Sequence, residues 1–574
     1  MPLLDETLFE QSSISIASSF SAMAVSPLAP LISVFVVLGA ILVFTVINTG
    51  FVASISGRVQ SSGFVTPDRS SLLPSCSFGQ TRRVAAYRLR ELQAYTDAQE
   101  PVPCHTNNGD EVLYSTTRIG SFTKGLPHDS LGQVLPDAYS TLLQALNSGL
   151  PADFDSISLG STLKLTSPEA GLAFALTGSD PQALFQEPAP TLASDWEAGE
   201  LVENYWMALA RDVNFDRYGL EPITQAAITE IAGLADWRGP TPAASTLFRG
   251  SSPGCNVGPY LSQFFYMTDT MGPNTIDPQI AVYTPGLDFM TNWTEFLSVQ
   301  NGNPPTASQT YAPGLKRYMI NGRDISRWVH MDVLFQAYFQ AALILMNMGA
   351  PLKSNLPYVN NPTQAGFATF GPPHYVSAII EVADYALRAV WYQKWYVHRR
   401  LRPEAAGGLV DRTKQGYATY PLTTDILNSV AITATWTKFG SYLLPQAFPE
   451  GSPAHPAYGA GHATVAGACI TLLKFWFNED YVLPAPVAPS ADGSTLNPLL
   501  GATLTVGGEL NKLANNVAFG RNIAGVHWRS DAEQSLLLGE QLALSFLKDQ
   551  KPTYHEVFGP WTAIGFDGTQ LVVE

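Results

Sequence analysis

Residues 455–469 read HPAYGAGHATVAGAC. Gly459, Ala460 and Gly461 lead straight into an apolar run, so the sequence predicts a helix over Gly461–Phe477. A helix start presents N–H groups without intrahelical acceptors, together with the positive end of the helix dipole. Glycine there lets an anion approach the backbone closely. His462 stands at that start, where an imidazole can give or take a proton beside a bound anion. The plainer reading is glycine kept for close helix packing, with His462 as a cap residue.

Two further stretches join cations to histidines in the same third of the chain. Downstream, Arg521 ends a helix predicted over Gly508–Arg521, and His527 follows before Trp528-Arg529-Ser530-Asp531. Gly525 lets that loop turn both side chains toward one point. A neutral imidazole can ligate a metal centre, and a guanidinium bonds oxyanion oxygens as a fork. Asp531 is expected to cap the helix over Ser530–Leu547. Upstream, Lys394 and Arg402 flank Arg399 and Arg400. On a continuous helix Lys394 and Arg402 lie slightly over two turns apart, near one face. Arg399 and Arg400 then point elsewhere, as ion-pair partners for Glu404 or other acids. Singly, the Arg521 and His527 piece also reads as a surface arginine and a core histidine, and the Lys394 to Arg402 run as a solvated face. Jointly they read as a cradle for a tetrahedral oxyanion.

The composition narrows the partners. A formal net charge of -16 over 574 residues makes nucleic acid an improbable partner, because phosphate binding needs basic surface. Any anion site must be a local, buried cluster of positive charge. The hydrophobic share of 46% and the charged share of 14% describe a folded chain. The four cysteines, Cys76, Cys104, Cys255 and Cys469, include no CxxC pair, which argues against a cysteine zinc site. Pairing of Cys76 with Cys104 is left open, and Cys469 reads as a small buried hydrophobe.

In chain order, residues 1–57 form an N-terminal segment with no charge between Glu10 and Arg58. Leu31–Ile47 is nearly pure apolar sequence of marginal membrane-spanning length, giving a possible membrane contact and a secreted or membrane-associated location. A terminal helix buried against protein is the alternative. A Ser-, Gly- and Pro-rich linker is assigned to 58–80. Residues 81–328 read as an N-terminal helical and loop-rich region, with helical periods at 82–92, 136–150 and 195–234. Residues 329–574 form a C-terminal helical region. Its predicted helices are Val329–Met348, Tyr375–Tyr396, Leu422–Tyr442 and the three named above. No solenoid-length repeat is present. The fold class is therefore mainly α, a helical-bundle core with few short strands.

Several longer segments extend the three motifs: IGSFTKGLPH (119–128), FATFGPPH (367–374), VHRRLRPEA (397–405), GHATVAGAC (461–469) and LTVGGELNKLANNVAFGRN (504–522). With them, residues 80–574 resemble the vanadium-dependent haloperoxidases, in particular bromoperoxidases of the red-algal type. These share their active-site fold with a superfamily of acid and lipid phosphatases. The resemblance implies a helical bundle of the haloperoxidase type and one vanadate per subunit, bonded through vanadium to His527. It implies that Lys394, Arg402, Arg521 and the N–H of Gly461 neutralise the vanadate oxygens. His462 acts as acid–base while hydrogen peroxide oxidises a halide to hypohalous acid, which halogenates small organic acceptors. Asp332 matches the family's buried carboxylate; on its own it reads as a helix-start acid. A structural calcium and a large homo-oligomer, as large as a dodecamer, are further implications.

Three positions bear on the halide pocket. Ala460 stands where the family usually has serine, which removes one hydroxyl donor worth about 1 kcal/mol. Trp391 is shared with fungal chloroperoxidases, whereas His455 is bromoperoxidase-like. A phosphatase of the same superfamily and a non-catalytic oxyanion-binding scaffold are the rival readings. Ala460 is what keeps the second alive.

Overall fold

The computed structural model describes residues 76–574. The possible anchor at Leu31–Ile47 and the expected linker as far as residue 75 lie outside the described residues. Helix α1 spans Cys76–Gln99, so the last five positions of the expected linker are already helical. The chain divides after Ala86, and Tyr87–Glu574 forms one unit. Its main helices are α2 (Asp195–Leu209), α3 (Gly322–Met331), α4 (Gln336–Asn347), α5 (Pro372–Tyr392), α6 (Pro403–Lys414), α7 (Gly461–Trp476), α8 (Val506–Ile523) and α9 (Arg529–Gln550). Helix α3 crosses the division drawn at 328/329. Strand content is limited to short antiparallel pairs among the described residues. One of these, β1 (Asp269–Met271) with β2 (Asn274–Ile276), and another, β3 (Ile280–Tyr283) with β4 (Tyr311–Arg317), fall in the loop-rich region. The mainly α expectation holds.

The centre of the bundle is α7, packed against α5, α8 and α9. Every residue of α7 except His462 is buried. The run of small residues explains how closely its neighbours come. A Cβ at Gly467 would lie 2.1 Å from the carbonyl oxygen of Leu536 on α9, and a Cβ at Gly539 on α9 would lie 2.0 Å from that of Thr464. The two backbones meet through paired glycines, and larger residues such as Leu472, Leu473 and Phe475 fill the other faces. Each such fully buried side chain contributes about 1.5–3 kcal/mol.

Three helix expectations require correction. Val329–Met348 is not one helix. The chain leaves α3 at Asp332, which adopts an extended φ of -68° and ψ of 148°, and α4 resumes at an angle of 99°. Asp332 thus ends a helix rather than starting one. Leu422–Tyr442 is likewise two pieces, Thr424–Leu427 and Val430–Phe439, with Ser429 capping the second through the N–H of Ile432. Finally, α5 ends at Tyr392 and widens into a π-helical turn over Gln393–His398. Of the cysteines, Cys469 is buried as expected, while Cys104 is a free, exposed thiol.

Candidate active site

Lys394 sits on the π-turn, a form of helix that often marks functional positions. The chain then reverses at Arg399, whose φ is +43°, and Arg402 caps α6 with extended backbone. Lys394 and Arg402 therefore share no helix face; the expectation of helical spacing was wrong. They meet through the segment before α7 instead. Lys394 Nζ donates to the carbonyls of Pro456 at 2.7 Å and Ala457 at 3.2 Å. Arg402 donates to the carbonyls of His455 at 2.9 Å and Val526 at 2.7 Å, and to His527 Nε2 at 2.9 Å. Arg521, near the end of α8, donates to the carbonyl of Val329 at 2.9 Å and lies over the Phe448 ring. Its Nε is buried without a partner.

These three cations are nearly inaccessible to water, and among the described residues none forms an ion pair with a carboxylate. Burial, then the field of Arg402, holds Lys394 well below the ordinary lysine range. Burial likewise lowers Arg402 and Arg521, and Arg521 adds to the pressure on Arg402. Unpaired buried charge is costly. The cluster is electrostatically incomplete, and a bound anion would relieve it.

His527 is oriented from behind. Asp531, four residues on, accepts its Nδ1–H at 2.7 Å and also accepts the N–H of Trp528 at 3.2 Å. The N-cap of α9 is Trp528, and Asp531 serves the helix start from its third position by accepting the Trp528 N–H; its bond to His527 was missed. The signal was the i, i+4 spacing across a helix start. The donated Nδ1–H leaves Nε2 of the neutral ring as the lone-pair atom facing the cations. Burial, followed by Arg402 and Lys394, pushes His527 far below the usual histidine range, so the ring stays neutral.

At the opposite side stands α7. Its first intrahelical bond runs from Thr464 N–H to Ala460 O at 2.9 Å, so the N–H groups of Gly461, His462 and Ala463 precede the helical ladder. His462 Nε2 lies 3.1 Å from Asp332 Oδ1, a contact created by the break after α3. The Ala460 N–H is held by Ser535 Oγ of α9 at 2.7 Å. Trp391 packs on His455 with ring centroids 4.8 Å apart and lies 5.7 Å from Lys394 Nζ. A Cβ at Gly461 would rest 3.4 Å from the Trp391 ring. Burial, then Lys394 and Arg402, keeps His455 neutral as well. The residues singled out from the sequence thus form one contiguous neighbourhood.

Arg399 and Arg400 have structural partners, as expected, although not Glu404. Arg399 pairs with Glu111. Arg400 is bound by Glu197, Glu200 and Asp531, all buried. Glu404 pairs instead with Lys124 at 2.8 Å. No group of three or more His, Cys, Asp or Glu suited to hold a metal ion occurs among the described residues.

Comparison with known proteins fits this geometry. A family model described as the second helical-bundle domain of VCPO matches residues 375–554. A vanadium-dependent bromoperoxidase of Corallina pilulifera is 36% identical over 593 aligned positions, covering 86% of this chain and 99% of the relative. The chain belongs to the vanadium-dependent bromoperoxidases. Another member, from Ascophyllum nodosum, is 37% identical over 482 positions, covering 79% of this chain and 85% of its own. The homohexameric structure of the second vanadate-dependent bromoperoxidase of Ascophyllum nodosum superposes with a TM-score of 0.82 at 29% identity. It covers 91% of this chain and 95% of the other. An enzyme of this family uses vanadium, and the cation cluster around a neutral histidine suits an oxyanion of that metal.

Proposed function

We propose that this bromoperoxidase oxidises bromide with hydrogen peroxide to hypobromous acid, using vanadate held by Lys394, Arg402, Arg521, Gly461 and His527. The observation that carries the reading is the buried trio of cations with no carboxylate partner, arranged around a neutral imidazole. Nε2 of His527 would bond vanadium, and the guanidinium groups, Nζ of Lys394 and the N–H of Gly461 would hold its oxygens. Bound vanadate supplies Lewis-acid activation of peroxide without changing its own oxidation state. His462 handles the proton that must leave the peroxide, and Asp332 fixes the ring through Nε2. Trp391, His455 and Ala460 form the apolar side on which a halide loses its hydration shell.

The purified protein assayed with peroxide and bromide, before and after orthovanadate, tests the proposal. Bromination that requires vanadate supports it. Phosphate-ester hydrolysis inhibited by vanadate would favour a phosphatase, and silence in both assays a non-catalytic scaffold. Iodide and chloride belong in the same series, as do small organic acceptors. A homo-oligomer is part of the proposal, and the native mass decides between a hexamer and a dodecamer. A structural calcium is tested by metal analysis. Secretion or membrane association through residues 31–47 is tested by fractionating cells that express the chain with and without them.

A further inference from the structure

Asp332, Lys394, Arg402, Arg521 and His527 are almost closed to solvent, whereas His462 keeps 17% of its side chain exposed. Of these residues His462 is the most open to solvent, so an oxidised halide formed among them would pass His462 and its partner Asp332. The residue before Asp332 is Met331, the last of α3, with 58% of its surface exposed. It is bracketed by site contacts on both sides. Two residues earlier, Val329 O receives Arg521 Nη1 at 2.9 Å, and one residue later Asp332 Oδ1 meets His462 Nε2 at 3.1 Å. An exposed methionine therefore lies one residue along the chain from the His462–Asp332 pair, at a site that on the function proposed above would release an electrophilic oxidant.

We propose that Met331 is a self-modification site, oxidised to the sulfoxide by hypobromous acid as it leaves the active site. The inference rests on the function proposed above. The Met331 sulfur attacks bromine and hydroxide departs. Water then adds at sulfur as the S–Br bond breaks and bromide leaves. Of the two protons released, one is taken by the hydroxide. The net products are the sulfoxide, bromide and one proton; sulfur is oxidised by two electrons and bromine reduced by two. The sulfoxide is polar and reversible by thioether-restoring reductases, so it is a lesion the cell can undo.

The molecule contains its own control. Met271, the last residue of β1, is 52% exposed, so bulk oxidant would reach it as readily as Met331. It lies elsewhere. Strand β1 is fastened to the C-terminal end of α4 by Asn347 Nδ2, which donates to Thr270 Oγ1 at 2.6 Å. Met331 precedes the N-terminal end of the same helix, whose length of 12 residues corresponds to about 18 Å.

The experiment follows sulfoxide at both methionines by peptide mass mapping. One sample is the vanadate-loaded full chain turning over peroxide and bromide, with bromination counted in the same tube. Another is the vanadate-free chain given an equal total of reagent hypobromous acid, and a third receives peroxide without bromide. The expected result is that reagent oxidises both methionines comparably, while turnover oxidises Met331 about tenfold ahead of Met271, as exposure to a local source requires. Peroxide alone leaves both intact over the same period. Met331→Leu should brominate at the unaltered initial rate. Equal oxidation of the two during turnover, or an intact Met331 after many turnovers, overturns the proposal. Absence of bromination overturns the haloperoxidase reading and this inference with it.

Discussion

Two charge clusters meet at His527, and they are built on opposite principles. On one side Lys394, Arg402 and Arg521 are buried without a direct ion-pair partner among the described residues; their hydrogen bonds go to neutral acceptors, and Asp531 and Asp332 act on them only at a distance. On the other, Arg400 alone faces Glu197, Glu200 and Asp531, with Ser530 Oγ donating to Glu200 at 2.8 Å. Burial raises Glu197 and Glu200 above the usual carboxylate range while Arg400 opposes the rise. The acid cluster is nearly self-sufficient and belongs to the scaffold. The cation cluster has no such direct partner, and on the proposed function an anionic ligand would supply it. A buried charge that has its counter-charge in the chain is structural; one without it is waiting for something to bind.

If that distinction is right, substitutions on the two sides must fail differently. The largest expected effect is at the seam. His527→Ala should abolish vanadate-dependent bromination, and retained full activity would sink its assigned role. Next is Arg400→Met, which leaves three buried acids without their cation. Breaking a buried pair in this way costs about 3–5 kcal/mol, read as a lowered denaturant midpoint that vanadate only partly restores. Lys394→Met should do the reverse in the vanadate-free protein. Lys394 is held well below its ordinary 10.5 in the fold, so between the folded and unfolded pKa values the unfolded chain keeps a proton that the folded chain gives up, and at lower pH the fold carries the full cost of the buried charge. Removing the amine removes that cost, and stability should be unchanged or higher while vanadate binding collapses. A strongly destabilised Lys394→Met would break the comparison.

Much of this was legible in the sequence, and what was not has a physical reason. The run from Gly461 predicts its helix nearly to the residue because small residues, apolar periodicity and a glycine entry all agree. Lys394, Arg402, Arg521, His462 and His527 could be collected from charge and motif, supported by family resemblance. Their routes to the site could not. The π-turn at Gln393–His398 and the break after Met331 carry no Pro or Gly to announce them; Asp332 sits within a run that keeps a helical apolar pattern. In both places tertiary contacts override local propensity, and both overrides serve the site. Glu197, Glu200 and Lys124 were missed because their partners are more than 190 positions away in the chain.

The smaller predictions probe how finely the incomplete side is tuned. Asp531 belongs to both clusters, since it binds Arg400 through Oδ1 at 2.8 Å and His527 through Oδ2 at 2.7 Å. Asp531→Asn keeps the shape and removes the charge that holds the His527 tautomer. Loss of such an outer partner lowers affinity for the metal about 10–100-fold, which titration with vanadate would measure. A larger loss of stability than of affinity would move Asp531 wholly to the scaffold. The smallest effect is expected at Ala460, whose N–H is already held by Ser535 while its methyl supplies no donor. Ala460→Ser adds one hydroxyl next to Gly461. One ordinary hydrogen bond is worth about 1 kcal/mol, or about fivefold in vanadate affinity, with no change in fold stability beyond a few tenths. The incomplete side should gain from an added donor whereas the self-sufficient side would not. Strict indifference of both affinity and bromination to this change would mean that position 460 does not face the anion.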